Sequence, residues 1–274
     1  MIAVAGGSGL LGRLLVRDLL AVGQEVRVIV RDTARADEAS GGTVEVAAAD
    51  VRDRDEIRGA VAGADVVVSA VHGFLGGRGA GPAEVDGRGN VNLIDAAVEA
   101  GAGVVLLSVC GASPTHPVDL FRAKYAAEQY LRRAGVPWAV VRAPAYRETW
   151  LGVLAATAGS GGRPLIFGVG DRPIPFVSAA DVATVVARAI DDLSVRGRVL
   201  ELAGEAVTMT ELAQALQAER GWHGRLRHVP RPMLRVLSVV ARPVSPAFAR
   251  QNRAALAMDT GVPAVRAFAD SSTP

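Results

Sequence analysis

A loop with glycine at every third position follows the first apolar stretch, and it constrains the fold more than any other feature. In VAGGSGLLGRLL, Gly6, Gly9 and Gly12 lie between a predicted strand at 1–5 and a predicted helix that ends at Gly23. Gly6 permits a tight turn, Gly9 lets the backbone approach a pyrophosphate, and Gly12 lets the helix pack closely on the strand. The helix N-terminus offers unpaired N–H groups to phosphates, so the loop predicts a dinucleotide site. Its expected contacts are Gly6, Ser8, Gly9, Leu10, Leu11 and Gly12.

Strands and helices alternate regularly from this loop to Pro144. The predicted strands are 1–5, 25–32, 43–51, 65–71, 103–113 and 138–144. The predicted helices between them are 13–23, 54–64, 81–102 and 118–136. This spacing is typical of βαβ units. We therefore predict an α/β fold, with a doubly wound parallel Rossmann sheet and a small C-terminal substrate lobe.

The regular alternation loosens after Pro144, which suggests a division of the chain. We expect a dinucleotide-binding core at 1–144 and a smaller substrate or lid lobe at 145–260. Within that lobe, a helix and a strand at about 179–203 are expected to return to the core. Residues 261–274 are expected to form a flexible tail.

Composition excludes several classes of function. The formal net charge is +2 without a dense basic block, which argues against a nucleic-acid partner. The one cysteine, Cys110, allows no disulfide within the chain, and the scattered His and Cys residues predict no metal site. Neither a signal peptide nor an apolar run long enough to span a bilayer is visible. We expect a cytoplasmic protein with a small-molecule substrate and no membrane partner, and a homodimer stays open.

The end of the second predicted strand indicates which dinucleotide is preferred. NAD-binding proteins place an acidic residue about 20 residues past the glycines, where it accepts a hydrogen bond from the ribose 2′-hydroxyl. Here Arg31 leaves the strand and Asp32 follows it. A guanidinium suits a 2′-phosphate, so we predict NADP(H) as the preferred cofactor, with NAD(H) as the alternative if Asp32 binds the ribose.

Several further motifs occur in one order over roughly residues 1–205. They are VAGGSGLLG, AADVRD, VVVSAVHG, VDGRGNVNLIDAAVEAGAG, LLSVCGAS, the helix that contains Lys124, and VRAP. Together they resemble the atypical short-chain dehydrogenase/reductases, and among these the NmrA-like, NAD(P)H-binding branch. The resemblance implies cofactor contacts at Asp50 and Val51 (adenine), Ser69, Ala70 and Val71 (nicotinamide-side ribose), Ser108, Lys124, and Ala143 and Pro144 (nicotinamide).

The sequence departs from this family at the catalytic tyrosine. Short-chain dehydrogenases carry Tyr-x-x-x-Lys, whereas Leu120 stands four residues before Lys124, which is the only lysine of the chain. The resemblance implies that Lys124 binds the nicotinamide ribose. In some NmrA-like members a lone lysine is the acid/base, and others bind the cofactor only as redox sensors. A partly desolvated lysine can exchange a proton near neutrality, which an arginine cannot.

Other side chains near the predicted strand ends are candidate proton donors. His72 follows the fourth strand and Tyr146 follows the sixth, so with Lys124 they form the predicted catalytic set. A surface histidine and a packing tyrosine are the structural alternatives. Glu128 lies one helical turn beyond Lys124 and is placed to pair with it. Cys110 is most simply a small buried hydrophobe.

Three functions are compatible with these residues. The first is an NADP(H)-dependent reductase that transfers hydride to a small apolar or aromatic carbonyl or quinone-type substrate. The second is a non-catalytic NAD(P)H redox sensor that binds a partner protein, which Leu120 favours. The third is a cofactor-assisted isomerase or epimerase. Fold analogy alone does not choose among them, but we predict the reductase, because the lobe after residue 145 is large enough to form a lid over a pocket.

Overall fold

A seven-stranded parallel sheet organises the computed structural model, which describes residues 1–33 and 44–261. From one edge to the other its strands are β3 (Glu45–Ala48), β2 (Val26–Val30), β1 (Ile2–Ala5), β4 (Val66–Ser69), β5 (Gly103–Val109), β6 (Trp138–Ala143) and β10 (Arg198–Glu201). All six pairings are parallel. The strand order reverses direction between β1 and β4, which is where ligands bind in doubly wound sheets. The predicted fold class is confirmed.

Helices cover both faces of this sheet. In chain order they are α1 (Leu10–Ala21), α2 (Arg54–Val61), α3 (Asn90–Ala100), α4 (Asp119–Leu131), α5 (Arg147–Ala158), α6 (Ala179–Asp191), α7 (Met209–Arg220), α8 (Arg231–Val240) and α9 (Pro246–Thr260). Successive strand residues point to opposite faces. Ile2 and Val4 accordingly pack with α1 and α6, whereas Ala3 and Ala5 pack with α2, α3 and α4. Valine-rich strands buried on both faces explain the apolar composition.

A π-helical turn at Ala83–Gly89 runs directly into α3. Turns of this kind widen the backbone and often occur at functional sites. Asp86 lies on this turn and is fully buried, although the residues around it are largely apolar or small. The turn therefore places a carboxylate beneath the carboxyl ends of the strands.

Small sheets lie in the C-terminal part of the chain. One contains β7 (Ala145–Tyr146), β9 (Pro173–Val177) and β11 (Glu205–Thr208), and the other pairs β8 (Leu165–Phe167) with β12 (Arg227–Val229). Their apolar residues pack against α5 and α7 around Leu154 and Phe176. The chain between β9 and β11 returns to the large sheet. There α6 packs on one face of the sheet, and β10 pairs with β6 at its edge.

The domain boundaries proposed from the sequence stay predictions. Of the predicted tail at 261–274, all residues except Gly261 lie outside the described part of the chain. Within 1–33 and 44–261, no helix is long and apolar enough to cross a membrane. The same residues contain no group of three or more His, Cys, Asp or Glu side chains that could hold a metal ion.

Candidate functional site

The glycine loop has the close backbone packing that a phosphate site needs. Gly6 has a φ of +83°, and a Cβ there would lie 2.8 Å from the Ala70 carbonyl group. A Cβ on Gly12 would lie 2.2 Å from the Gly6 carbonyl oxygen. Gly9 precedes α1 and supplies no side chain to cap it, so the first N–H groups of the helix face the crevice without a side-chain partner. The loop therefore fits a pyrophosphate at the N-terminus of α1.

The other predicted loop contacts differ in exposure. Gly9 and Leu10 are exposed and Ser8 is half-buried, so these three present surface to a ligand. Leu11 and Gly12 are buried, and Leu11 packs with α1 and its neighbours in the core. Leu11 can therefore contribute its backbone but little side-chain surface.

Two arginines and one aspartate lie at the ends of β2 and β3. Asp50 accepts hydrogen bonds from Arg52 Nε at 2.9 Å and from its terminal nitrogen at 2.5 Å. The hydrogen bond from Arg52 lowers the pKa of Asp50 despite partial burial, and the nearby charge of Arg31 lowers it further. Val51 is buried beside them. The Asp50 N–H also donates to the Glu56 carboxylate at 2.8 Å, so carboxylates accompany the arginines here. The guanidiniums of Arg31 and Arg52 are the groups at this end that suit a phosphate.

Sequence reasoning missed Arg52, although its position two residues past Asp50 was a usable signal. It contacts the loop after β4 through a hydrogen bond to the Gly79 carbonyl at 2.6 Å. Arg31 itself is exposed at the end of β2.

Lys124 is held inside the molecule by the end of β4 and the π-helical turn. Only 2% of its surface is exposed. Its Nζ donates to the Val71 carbonyl at 2.8 Å and lies 3.1 Å from Asp86 Oδ1. The other Asp86 oxygen accepts from the Gly73 N–H at 2.7 Å. The contact with Asp86 Oδ1 is an ion pair without hydrogen-bond geometry, so the Val71 carbonyl takes one of the three ammonium N–H groups and the others are left for a ligand such as a ribose hydroxyl.

A second buried network lies beside the first. Glu128 accepts from Ser108 Oγ at 2.5 Å and from Arg142 at 2.7 Å. The pairing of Glu128 with Lys124 considered from the sequence is therefore wrong, because Arg142 and Ser108 occupy Glu128 and Asp86 holds Lys124. Ser69, at the end of β4, donates to Asn90 at 2.5 Å. Ser108 and Ser69 are thus both buried, and their hydroxyl groups already donate hydrogen bonds within the protein.

Asp86 was the main omission from the sequence analysis. Segment 83–98 contains three acidic residues, Glu84, Asp86 and Asp95, and nothing in the sequence marked which of them would be buried or which basic residue it would meet. The two are 38 positions apart, so only the sheet topology brings them together.

The other two predicted catalytic side chains have shifted pKa values. Protein atoms crowd the His72 ring and lower its pKa, although more than a third of the residue is exposed. Its Nδ1 accepts from the Phe74 N–H at 3.3 Å. Burial raises the pKa of Tyr146, and the charge of Glu148 raises it further. Near pH 7 the histidine is therefore neutral and the tyrosine keeps its proton.

A cavity of about 460 Å³ opens where β5 ends. Its walls include Cys110, Gly111, His116, Phe121, Arg172 and Met258. The His116 and Phe121 rings stack with their centroids 3.9 Å apart. Cys110 donates its N–H to the Ala143 carbonyl at 3.0 Å, which ties the cavity to the Ala143–Pro144 turn. Pro144 is half-buried there, and burial raises the pKa of the Cys110 thiol to about 12.

This fold and the glycine loop define a Rossmann-type dinucleotide-binding protein, and comparison with known proteins identifies its family. Residues 1–255 match the NmrA-like family, and the chain belongs to it. Quinone oxidoreductase 2 of Escherichia coli is 27% identical over 224 residues, which cover 81% of this chain and 75% of the relative. NAD(P)H azoreductase of Xenophilus azovorans is 28% identical over 226 residues, which cover 81% and 74%.

A solved structure agrees with the same assignment. The crystal structure of the NADPH-dependent quinone oxidoreductase of Escherichia coli complexed with NADPH has a TM-score of 0.74 and 25% identity to this chain. The match covers 94% of this chain and 90% of that one. The family expected from the sequence motifs is therefore confirmed.

Proposed function

We propose that this protein is an NADP(H)-dependent reductase that transfers hydride to a small apolar or aromatic substrate of the carbonyl or quinone type. The observation that carries the proposal is the 460 Å³ cavity at the end of β5. Carboxyl ends of parallel strands share one edge of a sheet, so this cavity and the glycine loop open on the same side. A cofactor site and a substrate cavity on one edge are the arrangement that hydride transfer needs.

The cofactor is proposed to be NADP(H). The glycine loop would hold the pyrophosphate, Arg31 and Arg52 the 2′-phosphate, and Lys124 the nicotinamide ribose. NADPH, when bound, supplies the hydride, and the protein supplies orientation and a proton. The two NADPH- or NAD(P)H-named relatives support this assignment, since one of them was crystallised with NADPH.

The cavity walls favour a planar apolar substrate. Phe121 and His116 form a stacked pair of rings, and such faces bind flat rings in an offset arrangement. Arg172 contributes a positive group at the same cavity. The quinone oxidoreductase and azoreductase names of the relatives point to substrates of this shape.

The proton must come from a side chain near the ends of β4 and β6. Reduction of a quinone consumes one hydride to reach the quinol monoanion, and one proton to reach the neutral quinol. Lys124 has an N–H group left for this purpose, and Tyr146 keeps its proton near neutrality. A neutral imidazole is a weaker acid than an ammonium or a phenol, so His72 ranks last of the three as a proton donor.

Steady-state NADPH oxidation across a panel of quinones and aromatic carbonyls tests the proposal. Lys124→Met combined with Asp86→Leu removes both buried charges together and leaves neither unpaired. We expect kcat/KM of the double variant to fall about 10²- to 10⁴-fold if Lys124 positions the ribose and supplies a proton. Arg133→Gln, an exposed charge change on the segment after α4, is the matched control and should leave kcat/KM unchanged.

A redox sensor is the second candidate, because Leu120 replaces the usual acid. Tight NADPH binding without oxidation of NADPH across the panel would favour the sensor over the reductase. A cytoplasmic location and a homodimeric state also stay proposals.

A further inference from the structure

The outer stripe of α8 is apolar, which is the reverse of an ordinary surface helix. Leu234 and Ser238 form its buried face. Met233, Val236 and Val240 recur at the i, i+3, i+7 spacing of one helical face and are 53%, 58% and 66% exposed. The stripe therefore points away from the molecule. An apolar face turned to solvent indicates a surface that meets something else.

The apolar surface continues over the turn into α9 and onto a neighbouring loop. We define the hairpin patch as Leu75, Met233, Val236, Val239, Val240, Val244 and Phe248. All seven are exposed. Two side-chain hydrogen bonds join the loop after β4, which contains Leu75, to the hairpin formed by α8, α9 and the turn between them. Arg78 donates to the Pro243 carbonyl at 2.5 Å, and Arg250 Nε donates to the Phe74 carbonyl at 3.1 Å. The patch is thus built from two chain segments that lie side by side.

The segment that carries most of the hairpin patch is rich in arginine, and the one carboxylate of α9, Asp259, is buried and paired with Arg231. Residues 220–258 contain eight arginines and no aspartate or glutamate, whereas the rest of the chain has 22 Lys and Arg against 28 Asp and Glu. Arg235 and Arg242 are exposed on the hairpin, and neither forms an ion pair with any residue that the structure describes. This segment is therefore a basic region on a chain that is otherwise acidic.

We propose that the hairpin patch docks on the surface of an anionic phospholipid bilayer. A bilayer interface accepts exposed aliphatic side chains and attracts arginines through its acidic headgroups, so both properties of the patch are satisfied together. A second copy of the chain fits less well, because a two-fold contact centred on α8 would bring the arginines of one copy, Arg235 and Arg242, close to those of the other. No carboxylate from 220–258 is present to separate them.

This mode of contact differs from the membrane partner that the sequence excluded. The expectation of no membrane partner rested on the absence of an apolar run long enough to span a bilayer, and the proposal departs from it, because α8, with only ten residues, would not span. The docked helix would lie in the plane of the interface, as amphipathic anchors do.

The position of α9 connects the patch to the cavity. Phe248 lies in its first turn, whereas Ala254, Ala257 and Met258, further along the same helix, line the cavity. Docking would therefore hold the cavity close to the bilayer, in which apolar ring substrates dissolve. This consequence rests on the proposed reductase function, but the docking itself does not.

Co-sedimentation with vesicles tests the proposal. Full-length protein is mixed with sucrose-loaded vesicles of phosphatidylcholine alone, or of phosphatidylcholine with phosphatidylglycerol. We expect binding to the phosphatidylglycerol vesicles, little binding to the neutral ones, and weakening at high salt. Failure of the wild type to bind the anionic vesicles would overturn the proposal.

Two variant pairs separate the apolar and the electrostatic contributions. Arg235→Gln with Arg242→Gln should lower the partition coefficient about 30-fold, at roughly fivefold per arginine. Val236→Glu with Val240→Glu should lower it at least about tenfold. The controls change exposed residues elsewhere: Arg133→Gln with Arg196→Gln, and Val22→Glu with Leu193→Glu. The proposal requires each control pair to bind more tightly than its test pair.

Analytical ultracentrifugation of the same variants provides the competing outcome. If the wild type is a dimer that Val236→Glu with Val240→Glu converts to a monomer, while vesicle binding matches that of the control pair, the patch is an interface between copies and the bilayer proposal is wrong. Folding of each variant is checked by circular dichroism, and NADPH affinity reports on the cofactor site.

Discussion

The buried ion pair between Lys124 and Asp86 yields a quantitative prediction about stability. Lys124 is 2% exposed and Asp86 is fully buried, and Nζ lies 3.1 Å from Oδ1. Removing one partner leaves a charge in the interior without its counter-ion. We consider Lys124→Met and Asp86→Leu, which replace each charged side chain by an apolar one of similar size.

The expected magnitudes follow from the burial of both groups. Loss of one partner of a fully buried pair costs about 3–5 kcal/mol, because the remaining charge keeps its desolvation penalty. Asp86→Leu also removes the acceptor of the Gly73 N–H. Replacing both charges removes both penalties, so the double variant should lose less than the sum of the two single losses. We expect a coupling free energy of at least about 2 kcal/mol.

Urea unfolding of the four proteins, followed by tryptophan fluorescence and circular dichroism, measures the coupling. We predict that both single variants are strongly destabilised. The double variant should be more stable than both, or about as stable as the less destabilised of the two. If the losses of unfolding free energy in the two single variants add up to the loss in the double variant within about 0.5 kcal/mol, Lys124 and Asp86 do not interact in the folded protein. That result would refute the placement of Lys124 described above.

Four further predictions concern other parts of the site. Gly12→Ala should lower the free energy of unfolding by about 1–3 kcal/mol and weaken NADPH binding, because its Cβ would lie 2.2 Å from the Gly6 carbonyl oxygen, whereas Gly59→Ala has open space and should not destabilise. Arg31→Ala should weaken NADPH binding about 10- to 100-fold by titration calorimetry and leave NADH binding unchanged; equal losses for both would contradict the 2′-phosphate assignment. Cys110, whose pKa of about 12 compares with an ordinary 9.0, should react with iodoacetamide at pH 8 about a thousandfold more slowly in native protein than in urea; similar rates would be inconsistent with its burial. Because the pKa of His72 is lowered from 6.5, the folded state binds fewer protons than the unfolded state, so stability should fall as the pH drops below about 6.5; His72→Gln should flatten that slope, and an unchanged slope would assign it to other groups.

The sequence predicted the features that depend on local pattern. The glycine spacing identified the strand, turn and helix of the phosphate loop, since each glycine has a steric reason that does not depend on distant residues. Alternation of apolar runs identified the parallel sheet. Lys124 was singled out by composition and by its place in the family motif.

Contacts between residues that are far apart in the sequence could not be predicted from local pattern. Asp86 meets Lys124 because the π-helical turn packs against α4, and Arg142 meets Glu128 because α4 lies beside β6; neither contact follows from local sequence. The helical i,i+4 rule suggested Glu128 for Lys124, but the Val71 carbonyl at the end of β4 and Asp86 on the π-helical turn hold the ammonium. The apolar outer stripe of α8 was equally hidden, because the sequence shows its period but not which face is buried.

Single-turnover absorbance of the nicotinamide tests the central claim most directly. The NADPH complex of the wild type is mixed with a slight excess of a small quinone, and the nicotinamide absorbance and the quinone reduction are followed together. If the protein is an NADP(H)-dependent reductase, the absorbance falls by one equivalent per site as the quinone is reduced, and it falls more slowly in the Lys124→Met, Asp86→Leu double variant. An absorbance that stays constant while NADPH remains bound, across the quinones and carbonyls of the panel, would contradict the reductase and favour the sensor.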